Sequence, residues 1–164
     1  MPNAMIFYRI SRWFFERKVP LIPKLFQLII FVFYNCRVPR SAVIGKGSFF
    51  VVKGIGVSLH DNTVIGKNCS IGIGVKVVGK SPFTNVPNIG NEVFIGPGAV
   101  LIGPIIIEDN VIIGANAVVT KSIPKGSIVG GIPAKIIGHI EDLDYDISHN
   151  VSSDDSIAEF MQRK

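Results

Sequence analysis

Every sixth residue through the centre of the chain is large and aliphatic. Counting from Leu59 gives Leu59, Ile65, Ile71 and Val77; after an irregular interval come Ile89, Ile95, Leu101, Ile107, Ile113 and Val119. Four residues after these stand Thr63, Cys69, Val75, Val93, Ala99, Ile105, Val111, Ala117 and Ile123, all small or β-branched. An α-helix, turning once per 3.6 residues, cannot generate a strict period of six. A β-sandwich would show two-residue alternation with variable spacing, which does not hold register over so many repeats. A fixed hexad period is the mark of a parallel β-helix, in which each hexad is one short strand plus a corner. Three hexads close a triangular coil, and coils stack at the ordinary β spacing of about 4.8 Å. The aliphatic series then fills the interior and the smaller series fits close to the corners. Asn68, Asn91, Asp109, Asn110 and Asn116 fall between the strands, where Asn and Asp tolerate left-handed turn conformations.

The flanks follow other patterns. Ile6, Ile10, Trp13 and Phe14 recur at helical spacing with arginines between them, so the chain opens on a helix. The stretch VPLIP breaks it, because proline lacks the amide and clashes with the preceding turn. KLFQLIIFVFY, from Lys24 to Tyr34, resumes as a helix that is apolar nearly all round and so is buried or lies against a membrane. It falls short of the roughly 20 apolar residues a spanning helix needs, and the order of basic and apolar stretches is not that of a secretory signal. VGKSPFTNVPN, from Val78 to Asn88, occupies a whole number of hexads and is expected to loop outward and rejoin in register. The predicted organisation is a helical segment over 1–40, a β-helix domain over 41–138 with a projecting loop at 79–88, and an acidic tail over 139–164.

Composition agrees with this division. The chain has 164 residues, 48% of them hydrophobic and 18% charged, with 17 glycines and 10 prolines, too turn-rich for a helical bundle. Its formal charge of +5 is concentrated at one end. Residues 1–40 hold Arg9, Arg12, Arg17, Lys18, Lys24, Arg37 and Arg40 against Glu16 alone, and the remainder is near neutral. No basic stripe crosses the body, which argues against nucleic acid as a partner. The basic, aromatic lead-in predicts either peripheral contact with an anionic membrane or packing on a neighbouring subunit. Two cysteines, Cys36 and Cys69, form neither a disulfide framework nor a metal-ligand pattern, which favours a reducing, cytoplasmic setting.

PNIGNEVFIGPGAVLIGPIIIEDNVIIGANAVVTKSIPKGSIVGGIPAKII, from Pro87 to Ile137, resembles the C-terminal half of the hexapeptide-repeat acetyltransferases. Within these it is most similar to the serine acetyltransferase-like branch, which includes many enzymes of surface-polysaccharide biosynthesis. IGANAVVTKSIP and GGIPAK are the most specific elements. The resemblance implies a left-handed β-helix assembled as a homotrimer, with acetyl-CoA, and no metal, in a groove between subunits. On that analogy Ala115, Thr120, Lys121 and Lys135 match positions that contact acetyl-CoA. Its phosphates need cations, which the two lysines would supply.

The serine acetyltransferases of cysteine synthesis carry an Asp-His pair before GIVV and a second histidine in the extended loop. Here those positions read Val52-Lys53 and Val86. KGIGVSLHDNTVIG also resembles a branch whose members place a histidine where His60 stands. Because Leu59 points inward and side chains alternate along a strand, His60 is expected to point outward. Transfer of an acetyl group to a hydroxyl needs a base within hydrogen-bond reach and a donor for the oxyanion. An imidazole is largely neutral near pH 7 and suits the first task. Lysine, ordinarily protonated there, suits an anion better, so Lys53 is the secondary candidate. Asp61 would orient the imidazole, and Asn85 on the projecting loop would hold the acceptor. The short basic lead-in favours a sugar hydroxyl as acceptor, with serine as the alternative; an inactive trimeric scaffold of the same fold is the non-enzymatic reading. A zinc enzyme would need three convergent histidines, whereas His139 and His149 lie beyond the repeats.

Overall fold

The structure, a computed structural model, describes residues 2–143. Most of the expected acidic tail, with His149, lies outside the described residues. Helices α1 (Ala4–Glu16) and α2 (Ile22–Tyr34) precede a stack of short strands. The first coil is β1 (Val43–Ile44), β2 (Phe49–Phe50) and β3 (Ser58–Leu59), and the second is β4 (Val64–Ile65), β5 (Ser70–Ile71) and β6 (Lys76–Val78). The third is β7 (Asn88–Ile89), β8 (Phe94–Ile95) and β9 (Val100–Ile102); the fourth is β10 (Ile106–Ile107), β11 (Ile112–Ile113) and β12 (Val118–Val119).

Each strand pairs in parallel with its counterpart in the next coil, giving three faces. The first face is β1-β4-β7-β10, and the third is β3-β6-β9-β12. The second is β2-β5-β8-β11, extended by β13 (Ser127–Gly130) and β14 (Lys135–His139). This is the predicted β-helix, about four coils tall. Parallel pairing puts like residues in register, as in the column Phe50–Ile71–Ile95–Ile113–Val129, even where a turn or the projecting loop lengthens a coil. Every residue of the large aliphatic series is 1% exposed or less, and every residue of the smaller series 5% or less.

The corners follow the expectation in part. Asn68, Asn110 and Asn116 adopt φ of 55°, 57° and 55°. At the corner after β7 the left-handed residue is Glu92, φ 56°, and not Asn91. Asn91 and Asp109 act through their side chains instead. The Lys67 amide donates to Asn91 Oδ1 at 2.9 Å and the Asn91 amide to Asp109 Oδ1 at 2.6 Å, so this column is tied from coil to coil. These bonds hold the Asp109 carboxyl below its usual range.

The helical segment departs from the simplest reading. Ile6, Ile10 and Trp13 face away from the body, and α1 buries Ala4, Met5, Tyr8 and Ser11. The surface beneath it explains the choice, because the open end of the first coil presents backbone carbonyls as well as apolar side chains. Tyr8 Oη donates to the Ala42 carbonyl at 2.6 Å, Asn3 Nδ2 to Phe50 at 2.7 Å, and Arg9 to Gly45 and Ser48. A face with the Tyr8 hydroxyl and small residues fits that end, and Ser11 Oγ meets the Pro23 carbonyl of α2; a purely apolar stripe would leave these carbonyls unpaired. The coil geometry also starts early: Arg37 bridges Ser58 in parallel, within the segment assigned to the lead-in. After Ile123, where the hexads fade, β13 adds a further parallel strand to the second face and β14 returns antiparallel to it.

Candidate active site

Two of the three edges of the prism flank the third face, and the predicted site residues divide between them. The edge from the third face to the first carries His60 in the first coil and the projecting loop 79–87 in the second. Above these lie the turn at Gly103 and then Thr120 and Lys121, which precede the Ile107–Ile123 bridge. The loop rejoins at Asn88 in register, as β7 pairs with both β4 and β10. It leans on the coil above: a Cβ on Gly103 (φ +88°) would stand 3.3 Å from Lys80 Cβ. Asn85 is exposed on this loop and lines a groove of about 370 Å³ with Asn62, Val64, Thr84, Val86 and Asn88. Asn85 and His60 thus share an edge, with Asn62 between them.

The opposite edge, from the second face to the third, carries Lys53 at its lower end and Ala115 near the top. Between them run Gly72, Gly74, Gly96, Gly98 and Gly114. A Cβ on Gly96 would stand 2.6 Å from the Ala115 nitrogen, so no side chain can grow from that position. The result is a strip of bare backbone beside Ala115. Lys135 tops this side, because the β13–β14 turn folds over the last strand of the third face. Val118 donates to the Gly131 carbonyl at 3.1 Å, and Ala134 donates to the Val118 carbonyl at 2.8 Å. The face between the edges presents Ser58, Lys76, Val100 and Val118 in register. The exposed Lys76 was not among the sequence candidates. Its signal was a cation at an outward strand position whose partners are small or apolar.

Individual geometries refine the assignments. His60 is half-buried and follows the buried Leu59, as alternation requires. Its Nδ1 accepts a hydrogen bond from the Asn62 amide at 3.2 Å. In that arrangement the neutral ring carries its proton on Nε2, the nitrogen left as a donor. Asp61 does not approach the imidazole: its Oδ2 accepts from Arg37 Nη2 at 2.9 Å in a surface ion pair. Lys53 sits in a short 3₁₀ turn, Val51–Gly54, where Val52 (φ 50°, ψ 44°) and Lys53 (φ 62°, ψ 2°) are both left-handed. Such a conformation is costly for a β-branched residue and marks a position held by its surroundings. Gly54 is packed against the Phe50 ring there. Cys36 and Cys69 are buried thiols; desolvation pushes Cys36 up to about 12 and Cys69 in the same direction, so neither is poised as a nucleophile. Among the described residues no group of His, Cys, Asp or Glu converges as a metal site would.

The chain is similar to known proteins over most of its length. Residues 87–121 match the family described as bacterial transferase hexapeptide (six repeats). A serine acetyltransferase of Helicobacter pylori is 34% identical over 137 residues, 82% of this chain and 80% of its own. That of Synechococcus elongatus is 32% identical over 82% of this chain and 56% of its own. Among solved structures, the Brucella abortus serine acetyltransferase in complex with coenzyme A superposes with a TM-score of 0.77 at 28% identity, covering 83% of this chain and 55% of that one. The Neisseria gonorrhoeae enzyme in complex with serine superposes at 0.74 and 29% identity, covering 80% and 54%. The chain therefore spans little more than half the length of the solved enzymes.

Proposed function

The chain belongs to the serine acetyltransferase family of hexapeptide-repeat proteins, and from that premise we propose that it transfers acetyl from acetyl-CoA to a hydroxyl acceptor. One observation carries this reading: 83% of the chain superposes on a relative solved with coenzyme A. The fit of acetyl-CoA rests on the molecule itself. The bare backbone beside Ala115 admits a slender chain at van der Waals distance, and Lys121 and Lys135 are exposed cations able to meet phosphates. When bound, acetyl-CoA supplies an activated thioester carbonyl. Thr120 and Lys76 stand where they can add a hydroxyl and a third cation.

His60 is the proposed base. Taking a proton requires the ring to leave the 3.2 Å contact with Asn62, which exposes a lone pair. Exchanging one hydrogen bond costs about 1 kcal/mol. General-base catalysis returns about 10²–10⁴-fold, so the exchange is affordable. Lys53, held in its strained turn at the other edge, serves an anion better than it serves as a base. Asp61, committed to Arg37, is assigned no catalytic role.

Serine is the acceptor to test first, because the relatives above carry that activity in their names, and they lend no support to the sugar hydroxyl expected from the lead-in. A homotrimer is proposed with it, placing the third face of one subunit against a neighbour. The experiment is release of free coenzyme A thiol from acetyl-CoA by the purified chain with serine, and with neutral polyols in parallel. Serine-dependent release supports the reading. Coenzyme A binding with no thiol release above background for any acceptor would leave an inactive scaffold.

A further inference from the structure

Four of the seven cations of residues 1–40 are tied inward or to a neighbour. Arg9 and Arg12 donate to first-coil carbonyls, Arg37 pairs with Asp61, and Arg40 donates to Gln27 Oε1. The other three, Arg17, Lys18 and Lys24, gather at the turn between α1 and α2. Lys18 is fixed there in a left-handed conformation (φ 59°), its amide donating to Phe15 and that of Val19 to Phe14. Arg17 lies over the Trp13 ring at 3.6 Å. Lys18 and Lys24 are exposed and make no ion pair among the described residues.

Two apolar stripes run out from this turn. Ile6, Ile10 and Trp13 line the outer side of α1, and Leu21, Leu25, Leu28 and Val32 that of α2. Leu21 is 73% exposed and Val32 64%. The inner sides are spoken for: Phe7 packs on Phe26 and Tyr34, and Ser11 Oγ donates to Pro23. No helix is long and apolar enough to cross a membrane among the described residues. Short helices with an outward apolar stripe, an exposed tryptophan and cations at one end have the make-up of segments that lie in an interface.

We propose that the outer surface of α1 and α2 seats the protein on an anionic bilayer, with Trp13, Leu21 and Leu25 in the headgroup region and Arg17, Lys18 and Lys24 on lipid phosphates. Charge decides between a bilayer and a second copy of the same surface. Among the described residues this surface carries three cations outside any ion pair and no unpaired carboxylate, which would repel their own image but complement an acidic membrane. The inference does not depend on acetyl transfer.

Trp13 is the sole tryptophan, so its emission reports on this surface alone. The full chain is mixed with vesicles of phosphatidylcholine, or of phosphatidylcholine with phosphatidylglycerol, and emission, acrylamide quenching and flotation are read. A blue shift, protection from acrylamide and co-flotation are expected with the anionic vesicles, weakening as salt is raised. Each cation near such a surface contributes about fivefold, so the doubly reversed Lys18→Glu/Lys24→Glu chain should partition at least about 25-fold less. Both side chains are exposed, so the variant should fold and keep its acetyl transfer. Binding unaffected by the double reversal overturns the proposal, as does the lack of any shift or flotation at low salt. Shielding of Trp13 from acrylamide before lipid is added also overturns it, since the surface would then be a subunit contact.

Discussion

Gly96→Ala tests whether coil stacking, and not backbone torsion, demands glycine along the site's bare strip. Gly96 does not adopt a left-handed φ, so alanine is torsionally acceptable there. The added Cβ, however, would lie 2.6 Å from the Ala115 nitrogen, 2.7 Å from the Gly114 carbonyl carbon and 2.8 Å from the Ile113 oxygen. All three are backbone atoms and cannot swing aside. Reaching an ordinary contact of 3.4 Å needs the third and fourth coils to part by about 0.8 Å locally. The Gly96 amide now donates to the Ile113 carbonyl at 2.8 Å, and that separation takes it out of reach. One lost hydrogen bond costs about 1 kcal/mol and overpacking about 1–3 kcal/mol, so destabilisation should be about 2–4 kcal/mol. At about 2–4 °C per kcal/mol for a domain this size, the midpoint should fall by about 4–16 °C. The control is Gly79→Ala, where the nearest atom, Val86 Cγ1, is 3.6 Å away and φ again is not left-handed. It should be neutral, or raise stability by up to about 1 kcal/mol through the unfolded chain. Melting followed by circular dichroism compares the two. Equal midpoints would refute the steric account.

His60→Ala should lower turnover about 10²–10⁴-fold without changing coenzyme A affinity; unchanged turnover with a verified acceptor would move the base to Lys53 or a water molecule. Lys121→Ala should weaken coenzyme A binding about tenfold with a smaller change in turnover, checked by calorimetry. The buried thiols are neutral in the fold and ionise more readily once unfolded. Stability should therefore fall as pH rises above the ordinary thiol range toward about 12, the value for Cys36, and Cys36→Ala should flatten that slope in denaturant titrations. Asp109 has the opposite sign: its lowered value adds stability above the ordinary carboxylate range that is lost as pH falls below it, and Asp109→Asn should reduce that acid sensitivity.

The repeat was legible because a solenoid converts position into burial by a fixed count, so Leu59 through Val119 could be assigned inward without knowing any contact. The reading failed where packing depends on a surface the period does not describe. On α1, apolar spacing pointed to Ile6, Ile10 and Trp13, yet the coil end selected Tyr8 for its hydroxyl and the Pro23 carbonyl of α2 selected Ser11. Near Ile123 the hexads end while pairing continues through β13, since β-branched residues in Ser127–Gly130 suffice for one more strand. The site was legible only as far as its edges. Alternation set His60 outward beside the buried Leu59, while Asp61, expected to orient the imidazole, is taken by Arg37, distant in sequence. Lys76 escaped notice because a lone lysine on a strand reads as a solvated side chain until its in-register neighbours are known.

A stack of parallel coils has no inherent length: each terminal strand offers the same unpaired ladder that its neighbours have already used. At the lower end that ladder belongs to the first coil, where α1 spends Asn3, Tyr8, Arg9 and Arg12 on the carbonyls of Ala42, Gly45, Ser48 and Phe50. Of those acceptors only Gly45 also takes a turn hydrogen bond, from the Ser48 amide; the others would be open to a strand from another chain. The helix thus acts as a terminator of axial growth as well as a lid on the core. A chain stripped of α1 should still wind its coils, because their register is internal. Its failure should be end-to-end polymerisation into fibres, visible by light scattering while the circular dichroism spectrum stays that of a β-helix.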